Sequence, residues 1–324
     1  MKAVVYDRYG PPEVLRVEEI AVPSPGPDQV LVEVVATSIN LSDWECLRGE
    51  PLYARICGLR APKRRTLGSD IAGRVAAVGN TVSRFTAGDV VYGDNLQLKG
   101  GFAEYALAPE AALAHKPDGL SFAQASTLPQ AGAIAWQGTA GVAAGQRVLI
   151  NGAGGGSGAF AIQLAKLSGA HVTGIDNAGK LEFMRSLGAD EVGDYRRQDF
   201  TDFAPFDRIL DLVATRSPIS CWRALAPGGR YQCVGGAVRS LLPLVSFGPL
   251  LGRATGRRLG MLAVEQGPAN FERLAARCLA GEVTVHIDRT FTLDEVGEAL
   301  AYVGEGRALG KVVVTVAADQ NRDG

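Results

Sequence analysis

A strand, a glycine-rich turn and a helix follow one another directly in this sequence, and that succession restricts the fold more than any other segment. Arg147–Asn151 (RVLIN) has the composition of a buried strand, NGAGGGSG forms the turn, and Ser157–Leu167 has the pattern of a helix. Glycine lets backbone N–H groups approach a pyrophosphate closely, and the helix N-terminus adds roughly half a positive charge. The segment therefore predicts dinucleotide binding, with cofactor contacts from Gly152, Gly155, Gly156, Ser157 and Gly158.

An acidic residue ends the next predicted strand, HVTGID, and lies 18 positions after the last turn glycine. At this place a carboxylate accepts hydrogen bonds from the ribose hydroxyls of NAD(H) and repels a 2′-phosphate. Asp176 therefore favours NAD(H), while Lys180, just beyond the strand, could pair with a 2′-phosphate and leaves NADP(H) open. Tyr195 ends the following strand and is expected to lie against the adenosine.

The hydrophobic pattern predicts two domains of different class. Short strands separated by Gly, Pro and Asp turns predict an all-β, barrel-like unit over the first 120 or so residues. An Ala-rich segment, Ser126–Ala140, is predicted to be one buried linking helix, after which strands and helices alternate as in a doubly wound parallel sheet. We assign 1–122 and 288–324 to the first domain and 123–287 to the second, because the C-terminal strand is expected to return to the first.

Composition excludes several classes of partner. A formal net charge of −1 argues against nucleic acid. Five scattered cysteines without CxxC spacing indicate free thiols in the cytoplasm. The longest apolar run, Leu241–Leu251, is too short to span a membrane and contains Pro243 and Pro249. With the arginines that follow it, this segment is interpreted as a flap or dimer surface, or alternatively as a lid over an apolar substrate.

Beyond the glycine turn, several segments occur in the order found in one enzyme family. They are NLSDWECLRG (40–49), LGSDIAGRVAAVG (67–79), VSRFTAGDVVYG (82–93), GGFAEYALAP (100–109), SLGADEVGDY (186–195), APGGRYQCVGG (226–236) and GKVVVTV (310–316). Together they resemble the zinc-independent quinone oxidoreductases of the medium-chain dehydrogenase/reductase superfamily. The resemblance implies an α/β protein with a GroES-like β-barrel catalytic domain and a Rossmann domain, a cofactor in the cleft between them, and a homodimer.

The superfamily's zinc alcohol dehydrogenases differ from this chain at their metal ligands. They have cysteine where this chain has Asn40, histidine where it has Ser69, and four clustered cysteines near residues 94 to 101, where this chain has none. A catalytic zinc needs about three N, S or O side-chain ligands. We therefore expect no metal, and a hydride acceptor that is already electrophilic: a small lipophilic quinone, enone or related conjugated carbonyl.

Catalytic candidates come from the segment that replaces the zinc ligands. Asn40 could donate a hydrogen bond to a developing oxyanion, and Asp43 could orient the pocket or the ribose. Tyr53 is a candidate proton donor or stacking surface, with Tyr92 a weaker candidate of the same type. The resemblance also implies contacts to the nicotinamide half of the cofactor from Thr127, Val213 and Gly235.

Three functions remain compatible with the sequence. The first is an NAD(P)H-dependent quinone or enone reductase. The second is an alkene or imine reductase, or a tailoring enzyme of a biosynthetic pathway. The third is a dinucleotide-binding protein with a structural or regulatory role and no turnover, because an intact glycine turn predicts binding only.

Overall fold

The computed structural model describes residues 1–55, 58–235 and 256–317. In chain order, the strands within these residues are β1 (Lys2–Val5), β2 (Arg16–Glu19), β3 (Gln29–Ser38), β4 (Asp70–Val78), β5 (Val90–Asp94), β6 (Tyr105–Pro109), β7 (Leu113–His115), β8 (Arg147–Asn151), β9 (His171–Asp176), β10 (Glu191–Asp194), β11 (Phe206–Asp211), β12 (Leu225–Cys233), β13 (Arg258–Met261), β14 (Ile287–Thr292) and β15 (Lys311–Thr315). The α-helices are α1 (Leu41–Arg48), α2 (Phe122–Ser126), α3 (Pro129–Gly138), α4 (Gly156–Leu167), α5 (Leu181–Ser186), α6 (Pro218–Ala224), α7 (Pro268–Leu279) and α8 (Val296–Gly304).

Two structural units share this chain. The first consists of Met1–Ala133, Gln266–Gly281 and Ile287–Gly324, and the second of Ile134–Glu265 and Glu282–His286. The division at Ala133 differs from the boundary at residue 122 inferred from the sequence. A physical reason is that Gln130 donates its backbone N–H to Asp70 in the first unit at 3.0 Å.

The first unit is built mainly from antiparallel strands. Within the described residues, six strands follow the order β14-β15-β3-β4-β5-β7, and β6 pairs with the free part of β3. The C-terminal strand β15 runs antiparallel to β3, with Val314 opposite Thr37. Alternate positions of these strands bury valine, alanine and leucine, which fixes the pairing register because a one-residue slip would expose them.

A six-stranded sheet forms the centre of the second unit, and all of its described pairings are parallel. The strand order is β10-β9-β8-β11-β12-β13. The chain enters at the central strand β8, adds β9 and β10 on one side of it, and then crosses over to add β11, β12 and β13 on the other side. Ligands of such sheets bind beyond the carboxyl ends of the strands at this switch point. The α/β, doubly wound architecture expected from the sequence is confirmed.

The predicted linking helix over Ser126–Ala140 is wrong in one respect, because the segment forms two helices. The first, α2, ends at Ser126, and the second begins at Pro129. Proline has no N–H and clashes with the preceding turn inside a helix, but it is well suited to the first helical position.

Two sequence interpretations concern membranes and the apolar segment after β12. Among the described residues, no helix has both the length and the apolar character needed to cross a bilayer. Residues 241–255 of the proposed lid or dimer surface lie outside the described residues. Of the arginines that follow, Arg257 places its guanidinium over the Trp222 ring and Arg258 begins β13.

A buried carboxylate joins the carboxyl ends of three strands in the second unit. Asp211 ends β11, and its Oδ1 accepts hydrogen bonds from Asn151 Nδ2 at 2.8 Å and from the N–H groups of Val213 and Ala214 at 3.0 and 2.8 Å. Its Oδ2 accepts one from the Tyr231 hydroxyl at 2.9 Å. Four donors thus converge on one fully buried side chain and fix the backbone after β11.

We expect Asp211→Ala to lower the free energy of unfolding by about 3 kcal/mol, because it leaves the buried donors of Asn151, Ala214 and Tyr231 and the part-buried Val213 N–H without their acceptor. Asp211→Asn, which keeps one oxygen, should cost less. Urea denaturation followed by circular dichroism measures both. A loss below about 1 kcal/mol for the alanine variant would show that the network does not stabilise the sheet.

Candidate functional site

The glycine turn begins where β8 ends, at the switch point of the parallel sheet. Gly152 has a φ of 83°, a conformation that side-chain-bearing residues rarely adopt. Its N–H and that of Ala153 donate to Ile175 O in the neighbouring strand, at 2.8 and 3.1 Å. At Gly158 a Cβ would lie 2.4 Å from Gly152 O, so only glycine lets the helix approach the turn this closely.

The first turn of α4 presents its N–H groups at the same place. Gly155 is the N-cap and carries no side chain that could occupy them. The initial N–H groups of an α-helix have no partner within the helix, so those of Gly156, Ser157 and Gly158 suit a phosphate. The structure therefore brings together the turn residues that the sequence assigns to the cofactor.

Asp176 and Lys180 lie together beside the turn. The Asp176 carboxylate accepts the Gly154 N–H at 3.0 Å and the Asn177 N–H at 2.8 Å. The Lys180 ammonium lies 3.5 Å from Asp176 Oδ1, and both residues are at least nine-tenths buried. In the sequence, Asp176 favours NAD(H) and Lys180 leaves NADP(H) open; in the structure the two side chains form one ion pair.

The remaining cofactor candidates of the second unit occupy the carboxyl ends of its strands. Tyr195 follows β10, donates its N–H to Asp176 O at 3.1 Å and leaves half of its surface exposed. Val213 follows β11, is held through its N–H by Asp211, and has a methyl group next to Gly152. Gly235 follows β12 with a φ of 68°.

The catalytic candidates of the first unit are grouped by α1. Asn40 is the N-cap of this helix, and its N–H donates to Asp43 Oδ2 at 3.1 Å. The other Asp43 oxygen accepts the Gly68 N–H at 3.3 Å and lies 3.2 Å from the Lys99 ammonium. Asp43 is fully buried, so the structure makes it a support for the loop around Asn40.

Lys99 reaches Asp43 from a strained backbone position. Its φ is 60°, which costs a non-glycine residue on the order of 1 kcal/mol. The Asn95 side chain holds this conformation by donating to the carbonyl groups of Lys99 and Leu107. Burial works to lower the pKa of Lys99, but Asp43, Cys46 and Asp94 nearby raise it overall.

A second buried ion pair lies on the other side of Asn40. The Lys311 ammonium is 2.8 Å from Asn40 Oδ1 and 3.6 Å from Asp70 Oδ2. Asp70 also accepts hydrogen bonds from Ser38 Oγ and the Gln130 N–H, at 3.1 and 3.0 Å. Burial raises the pKa of Asp70 and lowers that of Lys311, and the opposite charge of each partner opposes the shift.

Tyr53 contacts α1 through a carboxylate that sequence reasoning did not single out. Its hydroxyl donates to Glu45 Oε1 at 3.1 Å, and its side chain remains partly exposed. Burial raises the pKa of Glu45, while the Tyr53 hydrogen bond and the Lys99 charge oppose the rise. A phenol hydroxyl keeps its proton at neutral pH, so Tyr53 is a possible proton donor that is hydrogen-bonded to a carboxyl of raised pKa.

Two other candidates are buried. Thr127 belongs to the first unit, is fully buried and donates its hydroxyl to Gln124 O at 2.7 Å. Tyr92 is also fully buried, and its ring packs edge-to-face on Phe271 with centroids 4.9 Å apart. A cofactor contact from the Thr127 side chain, or a substrate contact from that of Tyr92, would require this environment to open.

Sequence reasoning missed Lys99, Lys311, Asp70 and Asp94 as members of this cluster. A partial signal existed for Lys99, since the following Gly100 and Gly101 mark a turn. Lys311 reads only as the polar first residue of a strand, and no local pattern connects it to Asn40.

A third carboxyl, Asp94, ends β5 without a cation of its own. Its Oδ1 is buried and makes no hydrogen bond within the described residues. Burial raises its pKa to about 8, helped by the charges of Asp70 and Asp43 and opposed by Lys99. At neutral pH this carboxyl is therefore largely protonated.

Among the described residues, no three His, Cys, Asp or Glu side chains are grouped so that they could hold a metal ion. At the positions of two zinc ligands in the related alcohol dehydrogenases, Asn40 Nδ2 donates instead to Ser69 Oγ at 3.2 Å. The Lys311 ammonium beside Asn40 would also repel a cation. These residues do not fit a catalytic zinc.

We expect Asp94→Asn to stabilise the protein, increasingly so from pH 4 to pH 8. The unfolded carboxyl loses its proton near pH 3.8 and the folded one near 8, so wild-type stability falls as pH rises through this range. The gain at pH 8 should be on the order of 2 kcal/mol after allowance for solvent screening. Denaturation at several pH values measures it, with the exposed Asp118→Asn as the matched control. Equal curves for wild type and Asp94→Asn would contradict the raised pKa.

Comparison with known proteins places both units in one superfamily. Residues 26–118 match the alcohol dehydrogenase GroES-like domain, and residues 187–314 match the zinc-binding dehydrogenase family. The chain is 33% identical to a 2-methylene-furan-3-one reductase of Solanum lycopersicum, over 97% of this chain and 79% of the relative. It is 31% identical to a chloroplastic quinone-oxidoreductase homolog of Spinacia oleracea, over 97% and 98%.

A solved structure is similar to this protein over nearly the whole chain. The quinone oxidoreductase from Coxiella burnetii superposes with a TM-score of 0.89 at 29% identity, covering 98% of this chain and 99% of that one. The resemblance drawn from the sequence segments is thereby confirmed, as are the GroES-like and Rossmann-type domains. The chain belongs to the quinone oxidoreductase-like branch of the medium-chain dehydrogenase/reductase superfamily, whose members are NAD(P)-dependent oxidoreductases.

Proposed function

We propose that this protein reduces a small lipophilic conjugated carbonyl compound, a quinone or an enone, at the expense of a nicotinamide dinucleotide. The observation that carries the proposal is the uncapped α4 N-terminus at the switch point, with Asp176 ordered beside it. The similar proteins support the substrate class, because their names include a 2-methylene-furan-3-one reductase and quinone oxidoreductases.

The bound nicotinamide would supply a hydride to the far carbon of the C=C bond that is conjugated with the carbonyl group. The electron pair of that double bond then shifts through the conjugated system, and the negative charge develops on the carbonyl oxygen. The resulting oxyanion needs a hydrogen-bond donor, and the Asn40 amide is suited to this role. A proton taken up from solvent or from the Tyr53–Glu45 pair completes the reduction. The balance is one hydride and one proton added to each acceptor.

We propose that this reaction proceeds without zinc. In zinc enzymes the metal acts as a Lewis acid on the alcohol or carbonyl oxygen. Here Asn40 and Ser69 offer an amide and a hydroxyl, and the Lys311 ammonium lies 2.8 Å from Asn40 Oδ1. Conjugated acceptors are electrophilic enough to need orientation and hydrogen bonding only.

NADH is the proposed cofactor over NADPH. The Asp176 carboxylate is held at the end of β9 by two backbone N–H groups, and its negative charge would oppose a 2′-phosphate. The Lys180 charge is already paired with that carboxylate. A cytoplasmic homodimer completes the proposal; the lack of a disulfide at Cys221, Cys233 and Cys278 supports the location, and the family resemblance supports the dimer.

We expect wild-type protein to bind NADH more tightly than NADPH, and Asp176→Ser to reduce or reverse that preference by about tenfold, because it removes the repulsion and frees Lys180. Titration of nicotinamide fluorescence measures both dissociation constants. Lys180→Met is the counterpart variant and should leave the NADH preference intact. Tighter binding of NADPH by the wild type would make Lys180 the dominant group, and binding of neither would disprove the proposed function.

Asn40→Ala should lower kcat with quinone and enone acceptors by roughly 100-fold, because it removes a donor to the oxyanion. Dinucleotide affinity should change little, since the glycine turn belongs to the other unit. Steady-state oxidation of the cofactor against an acceptor panel measures this, with the exposed Asn80→Ala as a control. An unchanged kcat would remove Asn40 from the mechanism, and a wild type without turnover would favour a binding protein.

A further inference from the structure

The orientation of the Asn40 side-chain amide is fixed by a lysine from the far end of the chain. The Lys311 ammonium can only donate hydrogen bonds, and it lies 2.8 Å from the Asn40 side chain. The group facing it must therefore be the amide oxygen. The Nδ2 group consequently points the other way, towards Ser69 Oγ at 3.2 Å.

Lys311 is itself held in one position. Its ammonium also donates to Ile39 O at 3.2 Å and lies 3.6 Å from Asp70 Oδ2, so a backbone carbonyl, an amide oxygen and a carboxylate surround it. Its residue begins β15, and the pairing of this strand with β3 keeps the lysine directly beneath Asn40. A buried amine with three acceptors cannot easily change its contacts.

Asn40 is more exposed than the residues that contact its side chain or Lys311. Asn40 retains 6% of its surface, whereas Lys311 retains 2% and Ser69 and Asp70 retain none. A ligand at this surface would meet Asn40 before Lys311, Ser69 or Asp70, so any influence of Lys311 must pass through Asn40.

We propose that Lys311 is a positioning residue for the reduction: it keeps the Asn40 oxygen turned inward and the Nδ2 donor available to the oxyanion of the substrate. The proposal rests on the proposed function. A charged donor on Oδ1 also polarises the amide and strengthens the hydrogen bonds that Nδ2 makes. Without Lys311 the amide can rotate by 180°, and its oxygen would then repel the developing negative charge.

The first test is a double-mutant cycle on kcat. Lys311→Met removes the donor but keeps a linear apolar side chain, and should lower kcat roughly 10- to 100-fold without changing the dinucleotide dissociation constant. In an Asn40→Ala background the same substitution should have no further effect, because there is no amide left to orient. Lys116→Met is the matched control, at a half-buried lysine that donates to the carbonyl oxygens of Pro117 and Leu120 and lies over the Phe122 ring. Equal losses of kcat in both backgrounds would show that Lys311 is merely structural.

A second measurement is independent of turnover and of the stability of the methionine variant. In protein labelled with ¹⁵N at asparagine, the Asn40 side-chain resonance is identified by its disappearance in Asn40→Ala. Lys311→Gln, which retains a weaker donor, should shift that resonance more than those of the other asparagines and should recover part of the kcat lost in Lys311→Met. An unmoved Asn40 resonance would overturn the proposal, whether or not the protein reduces a conjugated carbonyl. Absence of turnover in a wild type that shows the shift would count against the proposed function alone.

Discussion

Among the described residues of the first unit, the buried Lys99 and Lys311 lie beside the buried Asp43 and Asp70, and the surroundings of Asn40 depend on how these charges are paired. Removing an ion from water costs several kcal/mol, which is recovered only if the partner geometry is good and the remaining donors and acceptors are used. Lys99 with Asp43 and Lys311 with Asp70 meet that condition through additional backbone and side-chain hydrogen bonds. Asp94, without a cation of its own, instead keeps its proton.

In the second unit, the buried carboxylates accept most of their hydrogen bonds from backbone N–H groups. Asp176 ends β9 and Asp211 ends β11, on either side of β8, and each accepts backbone N–H groups: Asp176 from Gly154 and Asn177, and Asp211 from Val213 and Ala214. Their carboxylates shape those turns before any ligand binds. A Cβ at Gly158 would collide with the turn, so the absence of a side chain at this position lets α4 pack closely against it.

The sequence was informative where function depends on local chain geometry. The strand, glycine turn, helix and following acidic residue are contiguous, so their spacing predicted both the parallel sheet and the proximity of Asp176 to the turn. It failed where partners are remote: Lys99 is 56 positions from Asp43, and Lys311 is 271 from Asn40. No periodicity reports such contacts. The single helix predicted across Pro129 was wrong because the prediction relied on the apolar composition of the segment. The proline itself indicates that a new helix begins there. The individual roles of Asn40, Tyr53, Thr127 and Lys180 stay predictions.

The strand that carries Lys311 also affects how the protein can be made. During synthesis, Asn40 leaves the ribosome long before its partner, and the whole second unit is translated in between. Until β15 pairs with β3, Asp70 lacks the Lys311 ammonium, and the stretch of β3 from residue 36 to 38 lacks its β15 partner. The first unit thus cannot complete its fold in the order in which it is synthesised, whereas the second is nearly contiguous and can fold as it emerges. The nascent chain would carry an unfinished barrel, with an exposed strand edge that a chaperone could recognise, until β15 has been translated.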